Sequence, residues 1–353
     1  MKTKVLISFF ILLLLFQKCK EKKKVNTVKK FPSEINIKGK GIDIPLQIGD
    51  LIVTDSLFIF FNPWNKHHLF YIFNKNDHKF IKPIGKRGKG PNEIIRPGNF
   101  IFSKTNNSLI VFDHGDNNFH QFTINKENET TNKDNYLKFP NKYNEIVFEM
   151  NIIDSTRRVI SCGIDKSILK IIDKKNKVTK EIGVNPYYQE NIKRFTAADL
   201  FWRKIETHPT KKEIIVVIFL NYDRIMAFDI NKDSLIFDNV GPDFIEHKIE
   251  YYSTGAYKPS EKSKEGYFDI AVSNSFIYAL YSGYKEKSGK YPDQIFVFNW
   301  EGKPVAKLNL DREIWAIELD NKKKLIYGIT PKSMKPLVRY EIPLTLINTK
   351  PDI

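Results

Sequence analysis

The chain has 353 residues, of which 41% are hydrophobic and 13% aromatic, so it is long enough to bury a large core. Lysine and arginine number 57 against 41 aspartates and glutamates, which gives a formal charge of +16. The lysines are scattered and no nucleic-acid-binding signature accompanies them, so the charge does not predict a nucleic-acid partner. Two cysteines, Cys19 and Cys162, are too few for a disulfide scaffold or a thiolate zinc site.

The N-terminus, "MKTKVLISFFILLLLFQKC", has the layout of a secretory signal. A basic start precedes an apolar run from Val5 to Phe16, which is shorter than the ~20 residues that a membrane-spanning helix needs. Cys19 stands where a bacterial lipoprotein signal carries its lipidated cysteine, while Lys18 replaces the small residue usual before it. We expect a lipoprotein-type signal peptide over residues 1–18 with lipidation at Cys19; an uncleaved anchor is the alternative.

Residues 19–33 follow as a charged segment that begins "CKEKKKVNTVKK". Because it contains almost nothing apolar, we expect it to stay solvated as a tether. A cationic tether on a lipid anchor would also be attracted to anionic headgroups, which supplies a second membrane signal.

A repeated phrase sets the predicted fold of residues 34–353. It consists of an apolar strand, an Asp or Asn, a polar turn and a second strand, and a further strand precedes each copy. The copies are "LFYIFNKNDHKFIKPIG", "LIVFDHGDNNFHQFTIN", "LKIIDKKNKVTKEIG", "IMAFDINKDSLIFDNVG" and "IFVFNWEGKPVAKLNL". The Asp or Asn is expected to cap a tight turn with its own side chain and to tolerate the left-handed conformation.

The spacing of the phrase, about fifty residues, is close to that of propeller blades. With a sixth unit from Arg312, the pattern predicts an all-β chain folded as a six-bladed β-propeller of four-stranded antiparallel blades. The segment "PSEINIKGKGI" before the first repeat is expected to supply the missing strand of the last blade. A sandwich or jelly roll is the alternative, but it does not explain the period.

The chain resembles the TolB-like six-bladed β-propeller lipoproteins of Bacteroides-type bacteria. The resemblance rests on the signal ending at Cys19, on "GKRGKGPNE" between the first two repeats and on "AIELDNKKKLIYGI" near the end. It implies the propeller fold and an address in the cell envelope, as an outer-membrane lipoprotein that is either periplasmic or surface-exposed. It does not imply a particular activity.

The glycine-rich stretch "IGKRGKGPNEI", residues 84–94, is not predicted to cradle phosphate, because a strand rather than a helix follows it. We interpret it as the connection between blades 1 and 2. Its cations Lys86, Arg87 and Lys89, with Glu93, are also candidates for a ligand-binding rim that attracts an anionic ligand such as an acidic sugar.

The stretch "FDHGDNNF" is the most polar concentration in the repeats. Asp113, His114 and Asp116 lie close together there, and the carboxylates with an Asn carbonyl could bind calcium, which prefers oxygen ligands, although turn capping explains Asp113 without a metal. No catalytic motif is found, and no catalytic, cofactor-binding or metal site is assigned. A lactonase-like propeller enzyme would need metal ligands from several blades, for which Glu93, Asn99 and Asp269 are of the right type.

A long insertion before blade 5 is rich in tyrosine. Loops of this length are uncommon unless they are functional or disordered. Tyr251, Tyr252 and Tyr257, with Tyr267 at its end, could contact a sugar or peptide from the propeller mouth, or could instead cover the edges of the blades.

The sequence therefore favours a monomeric, non-enzymatic envelope protein that acts as a binding or scaffold module for a protein or glycan partner. A stiff propeller lowers the ordering entropy that its loops lose on binding, which suits such a role. A metal-dependent hydrolase or lactonase with its site at the central channel is the alternative, and a structural part of an envelope complex is a third possibility.

Overall fold

The structure is a computed structural model that describes most of the chain. It covers residues 25–90, 92–103, 107–116, 118–124, 129–131, 137–138, 147–163, 165–175, 177–188, 200–244, 250–251, 257–258, 263–331, 333 and 335–347. The predicted signal peptide and Cys19 lie outside these residues. Among the described residues, no helix has the length and apolar character to span a bilayer.

Among the described residues, twenty-nine strands account for nearly all of the regular structure. Three short N-terminal strands come first, namely β1 (Asn26–Thr27), β2 (Glu34–Ile37) and β3 (Lys40–Ile42). Blade 1 contains β4 (Asp50–Val53), β5 (Leu57–Phe61), β6 (His68–Asn74) and β7 (Phe80–Lys86). Blade 2 contains β8 (Pro97–Ser103), β9 (Ser108–Asp113), β10 (Asn118–Ile124) and β11 (Glu129–Thr131), with β12 (Leu137–Lys138) also paired to β10.

Blades 3 and 4 follow the same plan. Blade 3 contains β13 (Val147–Ile152), β14 (Arg157–Cys162), β15 (Ser167–Asp173) and β16 (Val178–Val184). Blade 4 contains β17 (Arg203–Thr207), β18 (Ile214–Phe219), β19 (Arg224–Asp229) and β20 (Ser234–Val240). The insertion before blade 5 contributes the short hairpin β21 (Glu250–Tyr251) and β22 (Tyr257–Lys258).

Blades 5 and 6 complete the ring. Blade 5 contains β23 (Tyr267–Val272), β24 (Phe276–Tyr281), β25 (Gln294–Asn299) and β26 (Pro304–Leu310). Blade 6 contains β27 (Ala316–Asp320), β28 (Leu325–Ile329) and β29 (Leu337–Glu341), with β3 as its fourth strand. Helical structure includes a 3₁₀ turn (Glu286–Ser288) and the helix α1 (Leu344–Ile347).

These sheets confirm the predicted six-bladed, four-stranded antiparallel propeller. The first strand of each blade is innermost, and neighbouring innermost strands contact one another around the channel. The buried apolar side chains form six clusters, and each fills the space between two adjacent blades. Each blade is therefore covered on both faces by its two neighbours. Strands buried on both sides have nearly continuous apolar sequences.

The predicted turn capping is present in all five repeated phrases. In blades 1, 3, 4 and 5 the capped turn joins the third strand to the fourth. In blade 2 it joins the second strand to the third. Asn299, for example, accepts hydrogen bonds from the backbone N–H groups of Glu301 (3.1 Å) and Lys303 (2.8 Å). The left-handed residue is a later one in the turn, such as His78 (φ 59°) after Asn74 or Asp233 (φ 52°) after Asp229. The capping residue and the left-handed residue are thus different residues.

The N-terminal strands tie the ring together. β3 pairs antiparallel with β29 and closes blade 6, as predicted. β1 and β2 add parallel strands to the outer edges of β20 and β26, which the sequence did not predict. The prediction that the whole of residues 19–33 is a solvated tether is therefore wrong from Asn26 onward: Val28 is only 7% exposed and the Phe31 ring lies 4.5 Å from that of Phe296.

The direction of the strands distinguishes the two faces of the disc. Innermost strands all begin at one face, here called the upper face, and end at the other, the lower face. The upper face carries the connections between blades and the loops between second and third strands. The lower face carries the turns between first and second and between third and fourth strands. A ligand that approaches the upper face meets the first residues of six innermost strands.

Candidate functional site at the channel mouth

A cavity of about 650 Å³ lies at the upper end of the central channel. Its walls are residues near the start of the innermost strands, the loops that precede them, and the loops between second and third strands in blades 1 and 2. Each of the six blades contributes at least one polar side chain, in chain order Asp50, Asn99, Glu149, Lys204 and Glu206, Asp269, and Glu318. The cavity is therefore a convergent polar site, built from residues that are far apart in the sequence.

Lys204 links three blades across the channel. Its Nζ lies 2.7 Å from Oδ1 of Asp269 in blade 5 and 3.6 Å from Oδ2 of Asp50 in blade 1, which is opposite blade 4 in the ring. Burial alone would lower the pKa of Lys204, but the carboxylates of Asp269, Asp50 and Glu149 outweigh it and raise that pKa well above its ordinary value. The ammonium group is therefore permanently charged at neutral pH.

Two further contacts join neighbouring blades at the cavity wall. The side-chain amide of Asn99 donates to Glu149, and its Oδ1 accepts from the backbone N–H of Met150 at 3.1 Å, so blade 2 is fastened to blade 3. Oδ2 of Asp269 accepts from the backbone N–H of Ile317 at 2.7 Å, which fastens blade 5 to blade 6. These polar residues position one another, so the site is pre-organised.

The channel is acidic although the whole chain is basic. Five carboxyl groups face one lysine among the polar residues that line it. Burial, followed by the charge of Asp269, raises the pKa of Glu206 to about 7. Burial also raises the pKa of Glu149 well above its ordinary value. Burial is the largest cause of both raised pKa values, and the charge of Asp269 adds to each of them.

Three of the chain's four tryptophans surround the cavity: Trp64, Trp202 and Trp315. Trp64 is 54% exposed and Trp202 is 47% exposed, although large aromatic rings are normally buried. Trp64 stacks on Trp315 with ring centroids 5.8 Å apart and an angle of 28° between the planes. The mouth therefore has flat apolar tryptophan rings above the carboxylate and amide oxygens of the cavity.

Two further cavities adjoin the mouth. A second cavity of about 680 Å³ lies between blades 6 and 1, and a third of about 240 Å³ lies beside Trp202 and Tyr291. The Tyr291 ring meets Trp315 edge to face, with centroids 5.8 Å apart. Trp315 lines all three cavities.

The glycine-rich stretch connects blades 1 and 2 at the upper face, as interpreted from the sequence. Arg87 is used internally, because its Nη2 donates to the carbonyl of Pro63 at 2.7 Å. Glu93 folds back onto the loop and accepts from the backbone N–H of Gly90 at 2.8 Å. Lys86 and Lys89 are exposed, and none of these four residues lines the channel cavity.

The Asp113 region combines turn capping with a possible cation site. Asp113 accepts hydrogen bonds from the backbone N–H groups of Ile95, Arg96 and Gly115, each at 2.7 Å. Its neighbours in a potential metal group are Asp116 and His120, whose Nε2 lies 3.0 Å from Oδ2 of Asp116. An imidazole nitrogen is not a ligand that calcium prefers, so this group does not fit the expected calcium site.

His114, which is close to Asp113 in the sequence, is not a member of this group and lines the channel cavity. Burial, together with the charge of Arg96, lowers its pKa, so its imidazole is neutral at pH 7.

The tyrosines of the insertion are only partly described. Tyr251 and Tyr257 pair with each other in the β21–β22 hairpin, and Tyr252 lies outside the described residues. Tyr267 was expected to belong to the same contact loop, but it is the first residue of β23 and is 2% exposed. It is a core residue between blades 4 and 5.

Two of the three residues named for a metal enzyme, Asn99 and Asp269, do converge at the cavity, whereas Glu93 does not. The Lys204 ammonium occupies the position beside Asp269 that a divalent cation would need. The residues present therefore do not fit a catalytic metal in the channel.

The sequence reasoning missed Asp50, Glu149, Lys204, Glu206, Glu318 and the three tryptophans. The available signal was a polar residue near the start of the first strand in each repeat, roughly fifty residues apart.

Comparisons with known proteins agree with this architecture. The family model of TolB-like 6-blade propeller-like proteins matches residues 20–322. A protein of Bacteroides fragilis NCTC 9343, described as exported, superposes with a TM-score of 0.57 at 9% identity, covering 91% of this chain and 100% of that one. A member of the DUF4221 family from Bacteroides vulgatus superposes with a TM-score of 0.54 at 14% identity, covering 87% and 97%.

A search of curated proteins found no match. The two superpositions reflect a shared fold, and the family match spans most of the chain. The protein belongs to the TolB-like six-bladed β-propeller family.

Proposed function

We propose that the protein is a saccharide-binding module of the bacterial cell envelope, with its binding site at the channel mouth. The observation that carries this proposal is the ring of Trp64, Trp202 and Trp315 above a cavity to which every blade contributes a polar group. Tryptophan offers an apolar plate for the C–H face of a sugar ring, and carboxylate and amide groups bind its hydroxyls. The sequence predicted either a protein or a glycan as the partner, and this proposal selects the glycan.

The charge of the cavity favours an uncharged or amine-bearing saccharide. Five carboxyl groups and a single lysine would repel an acidic sugar, whose carboxylate could reach only the Lys204 ammonium already held by Asp269. The expected anionic ligand rested on Lys86, Arg87 and Lys89, which do not line the cavity. The glycine-rich loop predicted an anionic ligand, whereas the cavity favours an uncharged or amine-bearing one.

The rigid framework suits binding more than chemistry. Asn99, Asp269 and Lys204 are each held by hydrogen bonds or ion pairs to a neighbouring blade, so little ordering entropy is lost when a ligand enters. The metal-dependent hydrolase has no supporting observation among the described residues.

Saccharide binding is tested with the full chain in detergent on an array of neutral, amine-bearing and acidic oligosaccharides. We expect binding to neutral or amine-bearing members and at least tenfold weaker binding of Trp64→Ala and Trp202→Ala. The matched control is Phe80→Ala, which removes an aromatic residue of similar exposure (52%) from the outer strand of blade 1. Retained affinity in both tryptophan variants, or the absence of any saccharide ligand, would reject the proposal.

The envelope address is part of the same proposal and rests on the signal-like residues 1–18 and on Cys19. The B. fragilis protein of similar fold is described as exported, which is consistent with it. Labelling cells with a fatty-acid analogue should mark the wild type and not Cys19→Ala. Label that survives this substitution would discard the lipid anchor at Cys19.

A further inference from the structure

A second cavity lies on the other side of two of the tryptophans that line the channel cavity. Trp315 forms part of its wall and also part of the wall of the cavity between blades 6 and 1. Trp64, stacked on Trp315, likewise faces both. The two large cavities are therefore adjacent on the upper face and share an aromatic boundary.

The second cavity has the composition of a sugar-binding groove. One wall is the segment of residues 44–48 that enters blade 1, and the other comes from blade 6, through Thr330, Pro331, Ser333 and Pro336. Pro45 and Leu46 offer apolar surface, while the side chain of Gln47 is exposed and able to donate and to accept. We call this cavity the blade 6–1 groove.

We infer that the ligand is an oligosaccharide chain that places one end in the channel, crosses the Trp64–Trp315 pair and continues along the blade 6–1 groove. This inference rests on the proposed saccharide binding at the channel mouth. The shared aromatic boundary carries it, because stacked rings offer a continuous apolar surface to successive sugar units.

The volumes agree with a long ligand. Pockets of about 300–1,000 Å³ usually hold one drug-sized molecule. The channel cavity, at about 650 Å³, and the groove, at about 680 Å³, each reach that size. A ligand that fills both must be longer than a mono- or disaccharide.

The experiment compares two chain lengths of the same sugar on the full-length protein. Cello-, malto-, xylo- and chito-oligosaccharides of two and six units are titrated by calorimetry against the wild type and two variants. Gln47→Trp fills the groove from an exposed position. Ser288→Trp is the control, because Ser288 is exposed in a second-to-third-strand loop of blade 5 and lines none of the three cavities.

For the preferred sugar we expect six units to bind the wild type at least tenfold more tightly than two. Gln47→Trp should abolish that gain while leaving the affinity for two units unchanged, and Ser288→Trp should behave as the wild type. Equal affinity for both lengths, or an unchanged gain in Gln47→Trp, would overturn the groove while leaving the channel site intact. Failure of every sugar to bind at either length would overturn both.

Discussion

The lower and upper ends of the blades are built by different rules. At the lower end, short turns repeat the same device, in which an Asp or Asn side chain caps the backbone and a later residue adopts a left-handed conformation. All four described non-glycine residues with positive φ, His78, Asn107, Asp233 and Lys324, lie there. The upper end carries longer, dissimilar connections and the three tryptophans of the channel mouth. The repeated end specifies the fold, and the irregular end carries the candidate site.

Removing the cation of the channel should have the largest effect on stability. Lys204→Met leaves Asp269 and Asp50 without their shared partner, and we expect the free energy of unfolding to fall by about 3 kcal/mol. Urea denaturation measures it. The double variant Lys204→Met/Asp269→Asn should recover part of the loss, because it removes the uncompensated carboxylate. A loss below about 1 kcal/mol in the single variant would show that the upper end does not depend on this ion pair.

The second prediction concerns Glu206, whose pKa is raised to about 7 by burial and by Asp269, against the lowering effect of Lys212 and Lys204. A carboxyl group with a raised pKa in the folded state stabilises the protein below its unfolded pKa. That stability is lost as the pH rises through the folded pKa. Glu206→Gln should therefore be more stable than the wild type by about 2 kcal/mol at pH 8, with the difference vanishing near pH 4.

Thermal unfolding across this pH range checks the Glu206 prediction. Glu301→Gln, which makes the same change at an exposed glutamate in a lower turn, is the control. A difference between Glu206→Gln and the wild type that stays constant with pH would contradict the raised pKa.

At the lower end, each cap should contribute a smaller amount. Asn299→Ala removes the acceptor for the N–H groups of Glu301 and Lys303, and we expect a loss of about 1 kcal/mol in unfolding free energy. Saccharide affinity should not change, since the turn lies at the opposite face from the channel mouth. A loss of affinity in a stably folded Asn299→Ala protein would contradict the separation of the two ends.

The smallest effect is expected for an exposed ion pair between blades 6 and 1. Lys322 and Asp55 lie 2.6 Å apart, but their side chains are 71% and 63% exposed, so Asp55→Asn should cost about 0.3 kcal/mol. Lys75→Met breaks the buried 2.8 Å pair with Asp320 at the same interface and should cost several times more in the same denaturation assay. Equal losses would mean that exposure does not govern these pairs.

The fold was predictable because it is periodic. Phrases such as "IMAFDINKDSLIFDNVG" contain both the strand pattern and its turn cap, and the segment ending at Ile42 closes blade 6 as predicted. In blade 2, however, the phrase occupies β9 and β10, the second and third strands, so the same pattern marks a different place in the blade. The local sequence pattern identifies a hairpin but does not show which two strands of the blade form it.

The site was less predictable because it depends on ring closure. The sequence marks Asn99 and Asp269 as metal-ligand types, yet nothing local distinguishes them from Glu93, which caps its own loop. Lys204 meets Asp50 only because blades 1 and 4 are opposite in a ring of six. Trp64 and Trp202 do not recur at equivalent positions in the other blades, so the sequence repeat could not predict their place in the site.

The N-terminal segment gives the propeller a defined response to mechanical force. Residues 26–42 attach in turn to blade 4 through β1, to blade 5 through β2 and to blade 6 through β3. We expect a pull on the chain ahead of Val25 to load the two residues of β1 first and the four residues of β2 next. Both pairings would have to separate before tension reached β3, the strand that closes the ring.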